Sequence, residues 1–182
     1  MSRQQEPRPA KLIMGLLFCD FDIQRRVLAA LSSRFGPWDF LTEPVPFTYT
    51  DYYEREMGSG IYRQTGSFLE LVRPETLVDI KLATNQMETE LSLEGRRQVN
   101  IDPGILSEER VILATGKNYT HRIHLRDGIY ADLTLIYQHG AYQILPWTYP
   151  DYQDSCLLHF FGALRRKLIY QRDGQLPRKG AF

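Results

Sequence analysis

The stretch from Lys11 to Cys19 is a nearly continuous apolar run with Gly15 inside it, the pattern of a strand buried on both faces. Asp20 or Asp22 can cap the next segment. There Ile23, Val27, Leu31 and Phe35 recur at helical spacing, and Gly36-Pro37 stops the helix. Trp38 to Phe47 reads as a strand, Glu54 to Gly60 as a polar, glycine-closed connection, and Ile61 to Val72 as a further strand. Pro74 suits a first helical turn, Leu77, Ile80, Met87 and Leu91 form one apolar stripe, and Gly95 lies past its end. Arg97 to Asp102 completes the series as a short strand.

That order is β-α-β-β-α-β, the signature of a ferredoxin-like unit: an antiparallel sheet with two helices on one face. Beyond it come Val111 to Thr115 and a meander. With Arg126-Asp127-Gly128 as a three-residue loop, Leu125 faces Ile129, Ile123 faces Ala131 and Arg122 faces Asp132. A turn at His139-Gly140 pairs Tyr137 with Tyr142 and Leu135 with Ile144. Asp154 or Ser155 then caps a helix with Leu157, Phe160, Phe161, Leu164 and Leu168 on one side. The expected fold class is α+β: a mostly antiparallel sheet with a ferredoxin-like βαββαβ first half, a β-meander and a C-terminal helix. Residues 1–10 read as a flexible leader, 11–170 as a single domain and 171–182 as a disordered tail.

A chain of 182 residues that is 43% hydrophobic and 24% charged can bury a real core. Its 22 basic and 22 acidic side chains cancel, so no global field draws in nucleic acid or anionic lipid. Only Cys19 and Cys156 are present, which argues against a disulfide framework and reads as two buried thiols in a reducing compartment. The first apolar run is too short to span a bilayer and lacks a signal-peptide cleavage site, so a cytoplasmic protein without membrane association is expected.

One pattern stands apart from the elements. Pro46-Phe47-Thr48-Tyr49-Thr50-Asp51-Tyr52 returns as Pro146-Trp147-Thr148-Tyr149-Pro150-Asp151-Tyr152. Proline fixes φ and removes a donor, so each copy leaves its strand as a shaped turn displaying two phenols and a carboxylate. Such turns suit a ligand pocket or a partner surface, or simply cap the core. Conventional catalytic signatures are weak. Ala114-Thr115-Gly116-Lys117-Asn118 approaches a Walker loop but has Val111 where the first glycine belongs and Asn118 in place of Ser or Thr. His121 and His124 would face opposite ways on a strand, and no Cys or His set completes a metal site. What is left is polar residues at costly places: Arg97, Asn100 and Asp102 on or beside a strand, and Lys81, Asn85 and Glu88 along one side of the second helix.

The chain resembles an uncharacterised bacterial family, the domain of unknown function numbered 4416. The resemblance rests on Phe47 to Tyr53 with Glu56-Met57-Gly58, Asn100-Ile101-Asp102-Pro103-Gly104, Ala114 to Lys117 with His121-Arg122-Ile123, Asp127 to Ala131, and Pro146 to Tyr152. It implies no defined reaction. Members are sometimes labelled GTP-binding, a label that the residues here do not support through any Walker-type site.

The leading expectation is therefore a protein that binds, and in the enzyme reading acts on, a small anionic or nucleotide-like ligand between the two heptads. Tyr49, Tyr52, Trp147 and Tyr149 would supply ring surface, with Asp51 and Asp151 beside them. Arg97, Lys117 and Arg122, with Asn100, would hold the charge, and Asp102 and His121 are the acid-base candidates. No cofactor is indicated. The alternatives are an interaction or scaffold protein, including a homo-oligomer, and an RNA-binding module, the latter disfavoured by the balanced charge.

Overall fold

A computed structural model describes residues 3–176. The apolar run folds as β1 (Ala10–Phe18), buried at every position. It lies between β4 (Tyr62–Val72) and β5 (Val99–Leu106) and is antiparallel to both. α1 (Phe21–Phe35) follows, with the Asp20 side chain accepting from the Asp22 amide at 2.6 Å and Gly36 closing it at φ 93°. β2 (Trp38–Leu41) and β3 (Val45–Pro46) pair with β4, and one helical turn, α2 (Glu54–Met57), separates β3 from β4. A 3₁₀ turn at Pro74–Thr76 leads into α3 (Leu77–Glu90).

The spatial order β2-β4-β1-β5 is the ferredoxin-like arrangement, and the sheet continues through β6 (Arg110–Thr115), β8 (Ile129–Gln138) and β7 (Arg122–Arg126). β9 (Ala141–Ile144) pairs with β8. Alternation along β1 builds two cores. Leu12, Met14, Leu16 and Phe18 pack against Val27 and Leu31 of α1 and Ile80 of α3. Ile13 joins Leu106, Val111, Leu113 and Leu135 under Phe161, Leu164 and Leu168 of α4 (Ser155–Asp173), which closes the opposite face.

α4 is also fastened by charge. Lys11, with no exposed surface, places Nζ 2.5 Å from Asp39 Oδ2 and donates to Gln171 Oε1 at 2.8 Å. Lys167 reaches the same Asp39 oxygen at 2.8 Å, and the Ser67 hydroxyl donates to its other one. Burial pushes the Lys11 ammonium pKa down. Burial alone would raise Asp39, but donors from Lys11, Lys167 and Ser67 together hold it below the usual carboxylate range.

Several expectations need correction. Trp38 to Phe47 is two short strands rather than one. Thr42 takes over the pairing between them, its Oγ1 accepting from the Thr65 amide at 3.0 Å, and Pro44 has no donor to offer. The polar connection 54–60 contains the turn of helix α2. β5 runs through Pro103 and Gly104 to Leu106 rather than stopping at Asp102. The β7–β8 hairpin pairs Arg122 with Asp132 and Ile123 with Ala131 as expected, but closes on Arg126 opposite Ile129. Asp127 and Gly128, both at positive φ, form a two-residue turn, and a register shift between His124 and Arg126 restores the inward pattern. The His139-Gly140 hairpin has the expected register. Cys156 is exposed, not buried. Ala10 already belongs to β1, and α4 continues past Gln171 to Asp173. Of the tail read as disordered, 177–182 lie outside the described residues, as do residues 1 and 2 of the leader.

Candidate functional site

β5 pairs with β6 only over Gly104–Leu106; upstream, among the described residues, Val99–Pro103 has β1 as its one strand partner. The sheet opens there, and the backbone groups stranded by the opening find side chains instead. Glu88 Oε1 accepts from the Ile101 amide at 2.6 Å, and Lys81 Nζ donates to the Ile101 carbonyl at 2.8 Å. Pro103 shares the parity of Ile101 and brings no amide needing a partner. At the vertex, a Cβ on Gly104 would stand 2.7 Å from the Ile112 carbonyl oxygen, so glycine lets the two strands meet.

The opening is a cavity of about 740 Å³. Its floor is Gly15, Leu16 and Leu17 of β1, with Asn100 and Asp102 of β5 on one side and, on the other, Leu113 to Thr115 of β6 with Gly116 and Lys117 just past its end. Lys81, Asn85 and Glu88 of α3 contribute from behind. Both heptads border it: the first gives Phe47, Tyr49, Thr50 and Tyr52, continued by Tyr53 and Glu56, and the second gives Tyr149, Pro150, Asp151 and Tyr152.

The two copies do different work. Tyr49 and Tyr149 are alike, each a little over two-fifths exposed at the cavity. Asp51 is exposed and stands outside the lining, whereas Asp151 is turned in and meets Arg63 at 3.1 Å. Tyr52 stays at the surface, where its hydroxyl accepts from Lys117 Nζ at 2.9 Å. Tyr152 is buried over Gly15, with the Arg63 guanidinium 4.4 Å from its ring centre. Thr48 is exposed, while buried Thr148 closes its own turn through Leu145 N and Thr134 O. Trp147 lies outside the cavity, stacked on His121 at 4.8 Å, and its indole donates to the Leu133 carbonyl at 2.7 Å.

Of the remaining expected residues, Arg97, Asn100, Asp102 and Lys117 line the cavity; His121 and Arg122 stand behind it. His121 Nε2 is 3.2 Å from Asp132 Oδ2, and Arg122 Nε donates to that oxygen at 2.8 Å. Arg122 also donates to the Lys117 carbonyl at 3.0 Å and to the Tyr149 hydroxyl. An Arg that donates to Tyr149 leaves the phenolic proton free to face the cavity. Residues that the sequence did not mark for the site are Arg63, Tyr53, Asp132 and Tyr152, although the hairpin register had set Asp132 opposite Arg122. Arg63 offered one signal, a cation near the start of a strand. Tyr152 offered another, the last position of the repeated heptad.

The lining is charge-balanced rather than positive. Arg97 donates to Glu56 at 2.5 Å, Glu88 at 3.2 Å and Asn100 Oδ1 at 2.9 Å. Lys81 is 3.5 Å from Asp102 Oδ1, and Arg63 is matched to Asp151. Burial raises the carboxyl pKa of Glu88 and of Asp151. It also raises the phenols of Tyr53, Tyr149 and Tyr152, which keeps them protonated donors. Asn100 Nδ2 donates to Asp102 Oδ2 at 2.5 Å, and more than a third of the Asp102 side chain is open. No group of three or more His, Cys, Asp or Glu side chains suited to a metal ion occurs among the described residues.

A family model, domain of unknown function DUF4416, matches residues 8–168. The chain belongs to this family. The match takes in β1, both heptads and every wall of the cavity, so the whole site lies within the matched domain. No curated protein and no solved structure matches the chain. No helix among the described residues is long and apolar enough to cross a membrane.

Proposed function

We propose that this domain binds a small nucleotide-like ligand, ring-bearing and anionic, in the cavity between the two heptads, with Asp102 as its acid-base group. The observation that carries the reading is the convergence of both copies of a repeated motif on one opening in the sheet, bordered by Tyr49 and Tyr149. Rings there offer stacking surface, and Asn100, Asp102 and the tyrosine hydroxyls offer orienting hydrogen bonds, the composition usual for small-molecule sites. The cavity is also of ligand size. α4 covers the sheet face on which RNA bases would otherwise stack, which favours the cavity over RNA binding. The cytoplasmic reading belongs with this proposal and rests on two cysteines that form no disulfide.

The test is a thermal-shift screen of nucleosides, nucleotides and sugar phosphates on purified protein. A ligand at a hundred times its Kd adds about 2.7 kcal/mol to stability, a readily measured rise in Tm. The shift should shrink in Tyr149→Ala, whose ring is partly exposed and whose loss leaves both cores intact. Arg97→Ala is the poorer probe, because it also strips Glu88 of its partner. The proposal fails if no compound raises Tm, or if Tyr149→Ala responds like the parent.

A further inference from the structure

We infer that the cavity takes a ligand with a single anionic group held at Lys117 and a hydrogen-bond donor received by Asp102, and that it discriminates against polyphosphates. This rests on the ligand-binding reading above and adds the number and place of the ligand's charges.

Among the described residues, four cations line the cavity: Arg63, Lys81, Arg97 and Lys117. Three are committed. Arg63 is held by Asp151, Lys81 by Asp102 and the Ile101 carbonyl, and Arg97 by Glu56 and Glu88. Arg122 behind the wall is likewise used up, by Asp132, Tyr149 and the Lys117 carbonyl. Lys117 alone has no carboxylate within ion-pair distance among the described residues. Its ammonium rests 4.5 Å from the Tyr52 ring centre and donates to that hydroxyl, contacts that hold a cation without neutralising it.

The surroundings of Lys117 suit one anion. It follows Thr115 and Gly116 where β6 ends at the cavity, and the space where a Gly116 Cβ would stand is open. A phosphate or carboxylate placed there meets one ammonium beside the Tyr52 phenol. The carboxylates that border the cavity are themselves paired: Asp102 with Lys81, Glu56 with Arg97 and Asp132 with Arg122. A second or third phosphate would meet these closed pairs with no free cation to hold it, and would gain a partner only by breaking one of them. Asp102, by contrast, is oriented by Asn100 and Lys81 to accept a hydroxyl, amine or ring N–H.

The experiment is isothermal titration of the purified full chain with pairs that differ in phosphate number. Guanosine and adenosine 5′-monophosphates are compared with their triphosphates in magnesium, and glucose 6-phosphate with fructose 1,6-bisphosphate. Expected is a preference of about tenfold or more for the singly phosphorylated partner in the pair that binds. Lys117→Ala should remove most of that affinity, lowering it to the level of the unphosphorylated nucleoside or sugar. Asp102→Asn should weaken binding of the singly phosphorylated partner and narrow the phosphate-number preference, because it releases Lys81 from its carboxylate. Tighter binding of the polyphosphorylated partner, or an unchanged affinity in Lys117→Ala, overturns the inference while leaving the ligand site standing. Binding by none of the compounds overturns both.

Discussion

Glu88 shows how a single residue ties scaffold to site. One carboxylate oxygen stands in for a missing strand at the Ile101 amide, and the other holds Arg97 over the cavity. Burial raises its pKa, so the native state holds the proton more tightly than the unfolded chain does. Its contribution to stability therefore falls as pH rises from the ordinary Glu value of about 4.3 through the raised one. Glu88→Gln removes that titration. In urea melts across this range, the stability of the parent relative to Glu88→Gln should decline as pH increases; a constant or growing difference would refute the burial account. Residue types in the sequence were enough to mark Asn100 and Asp102, because polar side chains alternating with Ile101 in a buried strand need partners. The hairpin register already set Arg122 opposite Asp132. That Arg97 is occupied could not be read, because it depends on Glu56 and Glu88, which only the fold brings near.

Among the elements, β5 decides where the site can be. Its Asn100-Ile101-Asp102-Pro103-Gly104 segment displays polar groups to the cavity, leaves one amide out of the ladder and then permits close contact with β6 at Gly104. An added methyl at Gly104 would meet both the Ile112 carbonyl oxygen and Leu113 Cδ2 at 2.7 Å. Gly104→Ala should therefore cost about 1–3 kcal/mol in chemical denaturation. A loss below about 0.5 kcal/mol, the size of an ordinary surface change, would show that the strands are not in close contact there. The helices and strands themselves were legible because 3.6- and 2-residue periods are local. The opening between β5 and β6 was not, since both strands carry ordinary strand patterns and only their lateral spacing differs. The loop of the β7–β8 hairpin, though not its main register, was misread for a related reason: a two-residue turn plus a bulge gives the same inward pattern as a three-residue loop.

For the whole molecule, one sheet is covered by α1 and α3 on one face and α4 on the other, with the cavity at its internal split. The Lys11–Asp39–Lys167 cluster locks α4 to the sheet from within. Lys11→Met should destabilise by about 3 kcal/mol, near the lower end for breaking a buried pair because Lys167 still faces Asp39. Since Asp39 is depressed in the folded state, its stabilising effect is present above the unfolded Asp value of about 3.9 and is lost as pH falls through the lower folded value. The ferredoxin-like order was readable from the succession of elements, and the repeated heptad pointed to its two corners. Their meeting across the split follows from a second sheet half folding back beside the first, which no local pattern encodes. The central claim is that both corners enclose one ligand. Hydrogen exchange by mass spectrometry, with and without the nucleotide or sugar phosphate giving the largest thermal shift, tests it most directly. Protection should rise together in residues 47–57, 99–103 and 147–152. Protection confined to one heptad, or lying elsewhere, would contradict a shared site.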